Sequence, residues 1–245
     1  KIVIADIYDP MHLEQLEQGR ELARGTWELN VQTATRVLNQ QLAIGDFFLC
    51  ASERQRPFYL GQLAALGRIN PANYDHDPHL NNLLTVVPFG LSEEPPKATK
   101  PVLKGVRPGI AADDKVLIWG GGLYNWFDPK TLIRAVARVS EKHDNVRLFF
   151  LGTKHPGVDE MELYAPSDVV VEFEKAIVRE SRELAAELGV LDTSVFFNQT
   201  WVEFAERGSY LLEADAGVST HRLHVETTFS FRTRILDYLW AGLPM

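Results

Sequence analysis

The chain has 245 residues, of which 45% are hydrophobic, and a formal net charge of −8. This length is sufficient for one large domain or two modest ones. The acidic charge argues against a general nucleic-acid binder, because binding phosphates by charge requires a basic surface. The single cysteine, Cys50, excludes an internal disulfide framework and is typical of a reducing, cytoplasmic compartment. No stretch approaches the roughly 20 apolar residues that span a bilayer.

The first 90 residues alternate between strand-like and helix-like segments. Apolar runs bounded by turn residues predict buried strands over residues 2–8, 46–51 and 83–90. An apolar stripe at helical spacing predicts one long helix or two helices over residues 11–42, because Gly19 and Gly25 weaken the pattern. A further helix is predicted from Ser52, a good N-cap, to Gly67.

The clearest boundary follows these segments. Residues 92–109 are dense in proline, lysine and glutamate and have no usable periodicity. We therefore expect an exposed linker over residues 92–112, between a first domain at 1–91 and a second at 113–245. The chain opens in a strand-like segment and closes at Met245, where a further buried strand would follow. We expect both domains to be incomplete portions of a longer protein.

The second half alternates strand and helix regularly. Strands are predicted over residues 115–120, 145–152, 194–199 and 215–219, and helices over about 129–142, 170–188 and 202–213. Such alternation predicts an α/β fold with a doubly wound parallel sheet, whose ligands bind at the carboxyl ends of the strands.

The closing stretch, residues 219–245, carries the densest set of candidate ligand-binding groups. A helix is predicted to begin near Ser230, and it carries two arginines and an acid: Arg232, Arg234 and Asp237. Guanidinium groups match phosphate oxygens, and a carboxylate accepts hydrogen bonds from sugar hydroxyls. Two positions apart on a helix, the arginines are expected to point to different sides. We favour Arg232 for phosphate, because it lies nearer the predicted helix start.

The sequence WGGGLYNWFDP (119–129) is the second informative site. Three glycines directly after a predicted strand let the backbone approach a ligand closely. Their spacing is neither that of a dinucleotide-binding loop nor that of a Walker A loop. The alternative is that Gly120–Gly122 simply make a tight turn between strand and helix.

The segment SFRTRILDYLWAGLP (230–244) resembles the donor-site helix of GT-B glycosyltransferases related to family GT4. The resemblance implies two Rossmann-like, doubly wound parallel-sheet domains. It also implies transfer of a sugar, with retention, from a nucleoside-diphosphate sugar to a glycan, lipid-linked or small-molecule acceptor, as in polysaccharide biosynthesis. No metal or other cofactor is implied, since the nucleotide sugar is a co-substrate. The expected enzyme is cytoplasmic and able to associate peripherally with the inner face of the membrane.

The resemblance also suggests roles for individual residues. Asp237 takes the position of the glutamate that binds the nucleotide ribose, while the family's other glutamate falls on Phe229. Glu226 or the histidines near it replace that glutamate, so the implied catalytic residues are Arg232, Glu226 and His224. The implied donor-binding residues are Gly120, Gly121, Gly122, Asn125, Lys154, Asn198, Gln199, Thr233 and Asp237.

Three alternatives accompany this hypothesis. A nucleotide-sugar epimerase of GT-B fold would share the nucleotide site but need carboxylates placed for proton abstraction. A non-catalytic nucleotide-sugar-binding protein would not need the glutamate that Phe229 replaces. A metal site formed by His221, His224 and Glu226 would need a further ligand that the sequence does not supply.

Overall fold

The computed structural model describes residues 1–153 and 168–245, and for residues 168–175 it describes the backbone. The described chain forms two compact units. Unit 1 comprises Lys1–Gly90 and Leu223–Phe231, and unit 2 comprises Leu91–Arg222 and Arg232–Met245. Within the described ranges, no helix is both long enough and apolar enough to cross a membrane.

Unit 1 is built on a parallel three-stranded sheet with strand order β1-β2-β3. The strands are β1 (Ile4–Asp6), β2 (Phe47–Cys50) and β3 (Leu84–Val86). The helices are α1 (Met11–Gln18), α2 (Arg24–Ile44), α3 (Gln55–Ala65), α4 (Pro71–His76) and, from the end of the chain, α8 (Val225–Phe229). The core centres on the fully buried Phe48, Tyr59 and Leu84.

Two features of unit 1 refine the predicted helices. The two-helix alternative is correct, because a 3₁₀ turn at Gly19–Glu21 separates α1 from α2. A Cβ on Gly19 would lie 2.1 Å from the Trp27 ring, so this turn depends on glycine. Helix α3 begins three residues after Ser52, whose hydroxyl accepts from the Gln55 N–H at 3.3 Å.

Unit 2 is built on a parallel four-stranded sheet with strand order β6-β5-β4-β7. The strands are β4 (Lys115–Gly122), β5 (Val146–Gly152), β6 (Val195–Phe197) and β7 (Ala216–Gly217). The helices are α5 (Pro129–Ser140), α6 (Asp168–Glu187), α7 (Arg207–Glu213) and α9 (Arg234–Trp240). Apolar clusters cover both faces, with Trp119 and Phe150 in one and Ile118 and Phe149 in the other. The predicted parallel α/β architecture is confirmed.

The order of these strands predicts where a ligand would bind. The chain leaves β4 to build outward through β5 and β6, and then returns to the other side of β4 with β7. The order therefore reverses at β4. Ligands of open α/β sheets bind at the carboxyl ends of the strands beside such a reversal.

The segment predicted to be a linker packs closely on unit 2. Leu103 is fully buried there. The Glu213 carboxylate accepts the N–H groups of Val102, Leu103 and Lys104 at 2.8, 2.7 and 2.9 Å. These bonds hold at least this part of residues 92–112 as an ordered strap on the unit. The functional division of the chain into domains stays a prediction.

The prediction of one closing helix from near Ser230 is wrong. Helix α8 ends at Phe229, and Ser230 is extended, with ψ of 150°. Its N–H and its hydroxyl both donate to the Glu226 carbonyl at 2.9 Å, which completes the last turn of α8. Helix α9 then starts at Arg234. Arg232 therefore lies in a connection, and Arg234 is the first residue of the last helix.

Candidate functional site

Unit 2 contains a cavity of about 350 Å³ at the carboxyl ends of β4 and β5. One side is formed by the glycine run Gly120–Gly122 and by Gly152. The opposite rim carries Trp201, Phe204 and Arg207. The cavity lies beside the strand-order reversal at β4, where the fold predicts a ligand. This cavity lies where the triple glycine predicts a bound ligand.

The glycines let backbone and side chains approach one another closely. A Cβ on Gly121 would lie 3.3 Å from the guanidinium of Arg234. A Cβ on Gly152 would lie 2.8 Å from the backbone carbon and oxygen of Gly121. A larger residue at position 152 would push the ends of β4 and β5 apart, whereas one at position 121 would make the Arg234 guanidinium give way slightly. The glycine run thus brings main-chain groups and Arg234 together behind the cavity.

Arg234 is the most unusual side chain of this site. It is 7% exposed, and its Cζ lies 4.4 Å from the ring centroid of Trp119 and 4.5 Å from that of Phe127. Nη2 donates to the Gly122 carbonyl at 3.0 Å, whereas the buried Nη1 has no hydrogen-bond partner among the described residues. Burial lowers the pKa of Arg234 to about 10, which leaves it protonated at neutral pH. A buried cation with a spare donor is costly unless an anion supplies the missing acceptor.

Arg232 lies close to Arg234. Its Cζ is 4.9 Å from the centroid of the same Phe127 ring. Its charge is one of the influences that lower the Arg234 pKa, after burial. The expectation that the two arginines point to different sides of one helix is wrong, since only Arg234 is helical. Thr233, a predicted donor contact, is the exposed N-cap residue of α9.

Asp237 forms an ion pair that the sequence analysis missed. Nη2 of Arg207 donates to Oδ2 of Asp237 and, at 3.1 Å, to the Gly120 carbonyl. Burial raises the pKa of Asp237, and the charges of Arg207 and Arg234 oppose that rise. Arg207 and Asp237 are 30 residues apart. No motif connects them, so only the fold reveals the pair.

Tyr238 joins the last helix to the sheet. The side chain is fully buried, and its hydroxyl accepts from the Gly120 N–H at 2.8 Å. The same hydroxyl lies 3.0 Å from the Ile118 carbonyl and 2.9 Å from the Val218 carbonyl, as a donor to them. Its position fixes the start of the glycine run relative to β4 and β7. In the sequence, Tyr238 stands out only as part of the segment 230–244.

Comparisons with known proteins place this geometry in a fold class. No protein-family model and no curated protein matches the sequence. A solved structure described as trehalose-6-phosphate from E. coli bound with UDP-2-fluoro glucose is similar over 85% of this chain and 47% of its own, with 15% identity and a TM-score of 0.51. The fold is of the GT-B type.

Two further solved structures are similar at lower scores. The C-terminal domain of a glycosyl transferase group 1 family protein (LpcC) from Francisella tularensis matches 49% of this chain and 56% of its own, with 12% identity and a TM-score of 0.31. A GtfA/B complex matches 86% of this chain and 32% of its own, with 13% identity and a TM-score of 0.40. The chain thus spans about half, or less, of each of these three structures.

Other residues predicted to bind the donor occupy varied positions in this GT-B-type chain. Asn198 is buried, and its amide donates to the Leu151 carbonyl at 3.2 Å and the Thr200 carbonyl at 2.6 Å. It therefore shapes the turn after β6, next to the cavity rim. Gln199 is exposed and Asn125 is partly buried. Lys154 lies outside the described residues. Their roles toward a donor stay predictions.

His224 and Glu226 belong to unit 1 and form a pair at the start of α8. Glu226 is fully buried, with Oε2 3.4 Å from Nδ1 of His224. The Ser230 hydroxyl donates to Oε1 of Glu226, and Nδ1 of His224 accepts the Thr227 N–H at 3.3 Å. Next to them, the ring of Phe229 stacks on Phe58 with centroids 4.5 Å apart. The predicted catalytic role of His224 and Glu226 stays a prediction.

His221, the third residue of the metal alternative, takes part in a hydrogen bond. His221, in unit 2, lies with Nε2 2.7 Å from the Ser219 hydroxyl, and its ring packs edge-on against Phe127. In the part of the chain that the structure describes, no cluster of three or more histidine, cysteine or acidic side chains could hold a metal ion.

Proposed function

We propose that the unit 2 cavity binds the diphosphate and ribose of a nucleoside-diphosphate sugar. We further propose that the chain is part of a retaining, GT4-like glycosyltransferase that transfers the sugar to a glycan, lipid-linked or small-molecule acceptor. The observation that carries this proposal is Arg234. Its buried guanidinium lies against the glycine run beside the cavity, and one of its nitrogens has no hydrogen-bond partner within residues 1–153 and 168–245. A diphosphate oxygen would supply both the missing acceptor and the opposite charge.

The rest of the cavity supports a nucleotide rather than a bare phosphate. Its volume of about 350 Å³ is in the usual range for small-molecule sites. The aromatic rings of Trp201 and Phe204 are partly exposed at the rim and offer faces on which a base can stack. Asp237, which pairs with Arg207 of the cavity lining, would supply a carboxylate for the ribose hydroxyls. The GT-B-type fold adds support, since the E. coli structure of that fold is described as bound with UDP-2-fluoro glucose.

The proposed chemistry uses positive charge behind the leaving group. When the bond between the sugar's anomeric carbon and the diphosphate oxygen breaks, negative charge accumulates on the diphosphate. Cations fixed in a site of low polarity stabilise such charge more than water does. Arg234 is held in this way between Trp119 and Phe127, and Arg232 shares the Phe127 ring. In this proposal His224 and Glu226 keep the catalytic roles that the resemblance implies.

Calorimetric titration tests the donor site. The full chain would be titrated with UDP, GDP and ADP, as wild type and as the Arg234→Lys and Arg107→Met variants. Arg107 is a matched control, because it also stacks on an aromatic ring, Phe149 at 5.3 Å, and donates to a carbonyl in unit 2. We expect one nucleotide to bind, with roughly tenfold or greater weakening in Arg234→Lys, where the planar fork is lost. Arg107→Met should bind as the wild type does.

Two results would contradict the proposal. One is that none of the three nucleotides binds to the wild type. The other is that a nucleotide binds equally well to the wild type and to Arg234→Lys. Incubation of the chain with the matching donor sugar alone separates the enzyme classes. A glycosyltransferase leaves the sugar's configuration in the donor unchanged, whereas a nucleotide-sugar epimerase returns a changed donor.

A further inference from the structure

Arg207 is held from several sides at the rim of the cavity. It is the first residue of α7 and one of the residues that line the cavity. One nitrogen, Nη2, donates both to Oδ2 of Asp237 and to the Gly120 carbonyl, and Cζ lies 5.8 Å from the Phe204 ring centroid. The guanidinium is therefore fixed against the carboxylate on one side and the glycine run on the other.

Asp237 depends on this partner. The charged and titratable groups that face its carboxylate are Arg207 from α7, and Arg234 and Tyr238 from its own helix α9. Of these, Arg207 makes the direct ion pair. Burial on its own favours the neutral acid, and a neutral acid is a poorer acceptor for sugar hydroxyls. The fixed guanidinium of Arg207 thus favours the ionised form of the Asp237 carboxylate and also holds that carboxylate in one orientation.

We propose that Arg207 is the positioning residue for ribose recognition, holding the Asp237 carboxylate by Oδ2 so that Oδ1 accepts a hydrogen bond from a ribose hydroxyl. This inference rests on the proposed function. In this inference Arg207 acts on the ribose of the nucleotide, through Asp237, whereas Arg234 acts on the diphosphate. A planar guanidinium suits this task, since its fixed geometry orients a carboxylate in a way that a lysine ammonium does not.

The test measures discrimination between ribose and dideoxyribose. The dissociation constants of UDP, GDP and ADP and of their 2′,3′-dideoxy analogues would be measured by calorimetry on the full chain. The variants are Arg207→Met, Arg207→Lys and Asp237→Asn. The matched control is Arg147→Met, because Arg147 also pairs with a carboxylate of unit 2, Asp114 at 2.9 Å.

We expect the wild type to prefer the ribose form by roughly tenfold or more, as a hydrogen bond to a charged group permits. Arg207→Met and Asp237→Asn should lose most of this preference while still binding the dideoxy form. Arg207→Lys should restore part of it, because the charge returns without the fork. Arg147→Met should keep the full preference, whatever its effect on thermal stability.

The pH dependence provides a readout that a purely structural role would not change. The ribose preference should fall as pH falls, when Asp237 takes up a proton. In Arg207→Met this fall should occur at a higher pH, because the buried carboxylate has lost its nearest cation. A lysine at this position should move the profile back toward that of the wild type.

The outcomes separate the two proposals. If wild type binds a nucleotide and Arg207→Met keeps its full ribose preference, the positioning role is wrong and the donor site stands. If Arg207→Met weakens the ribose and dideoxy forms equally, Arg207 contacts the diphosphate itself, and the positioning role is again wrong. If the wild type binds none of the nucleotides, the proposed function fails and this inference fails with it. Should Arg207→Met not fold, Arg207→Lys decides by the same comparison.

Discussion

Replacing Tyr238 by phenylalanine tests how the last helix is attached to the sheet. The ring is fully buried and would remain in place, so the substitution removes only the hydroxyl. That hydroxyl accepts the Gly120 N–H at 2.8 Å and lies within 3.0 Å of the Ile118 and Val218 carbonyls. The Ile118 carbonyl keeps the Val218 N–H at 2.9 Å, so it does not lose every partner. The main loss is the acceptor of Gly120.

The expected destabilisation follows from that orphaned donor. A buried N–H left without an acceptor costs about 1–3 kcal/mol. No cavity is added, since phenylalanine and tyrosine rings fill nearly the same volume. We therefore expect the free energy of unfolding to fall by about 2 kcal/mol in Tyr238→Phe. For a chain of this size, that corresponds to a drop in Tm of roughly 4–8 °C.

Urea unfolding followed by circular dichroism would measure this change. The midpoint should fall while the slope is unchanged, since the folded state buries the same surface. Tyr210→Phe is the control, because Tyr210 is only partly buried and stacks on Phe149. Its hydroxyl can be replaced without leaving a buried donor. A change in Tyr238→Phe no larger than about 0.5 kcal/mol, the usual size of a surface effect, would refute the reasoning.

Three further predictions concern packing away from the cavity. Glu213→Ala should free residues 102–104, whose N–H groups the carboxylate accepts, and cleavage there by a protease should become faster. Arg68→Met should lower the free energy of unfolding by about 1–2 kcal/mol, because Arg68 donates to three carbonyls at the end of α2; thermal unfolding would measure it. The Cys50 thiol is buried, and burial raises its pKa, so an aromatic disulfide reagent should label it only after unfolding.

The regular elements were largely predictable because their signals are local. The apolar run at 145–152 predicted β5, which the structure places at Val146–Gly152. The helix predicted over about 129–142 is α5, and the Asp128 carboxylate caps its start by accepting the Thr131 N–H at 3.2 Å. Here the capping group, the proline and the apolar spacing all favour the same helix start. Agreement of this kind makes a helix boundary readable from sequence.

The start of the last helix was predicted wrongly for a physical reason. The helix predicted from near Ser230 starts at Arg234, and the short helix α8 before it was not predicted. Apolar residues recur at helical spacing from Phe231 to Trp240, so periodicity places the helix start too early. The break is made by the side chain of Ser230, which bonds the carbonyl four residues earlier and competes with continuation of the helix. The wrong helix start led directly to the preference for Arg232 over Arg234.

The candidate site shows where sequence reasoning ends. The triple glycine could be selected from its place after a predicted strand, since parallel strands bring their carboxyl ends together. Asp237 was selected only from the resemblance of residues 230–244. The burial of Arg234 and the pairing of Arg207 with Asp237 could not be read from residue type. They determine which of these charges can act on a ligand. Arg207 and Asp237 largely neutralise each other, so this pair adds little net attraction for a diphosphate. That attraction then depends on Arg234, whose charge is shielded from water by Trp119 and Phe127 and acts at close range on whatever enters beside the glycine run.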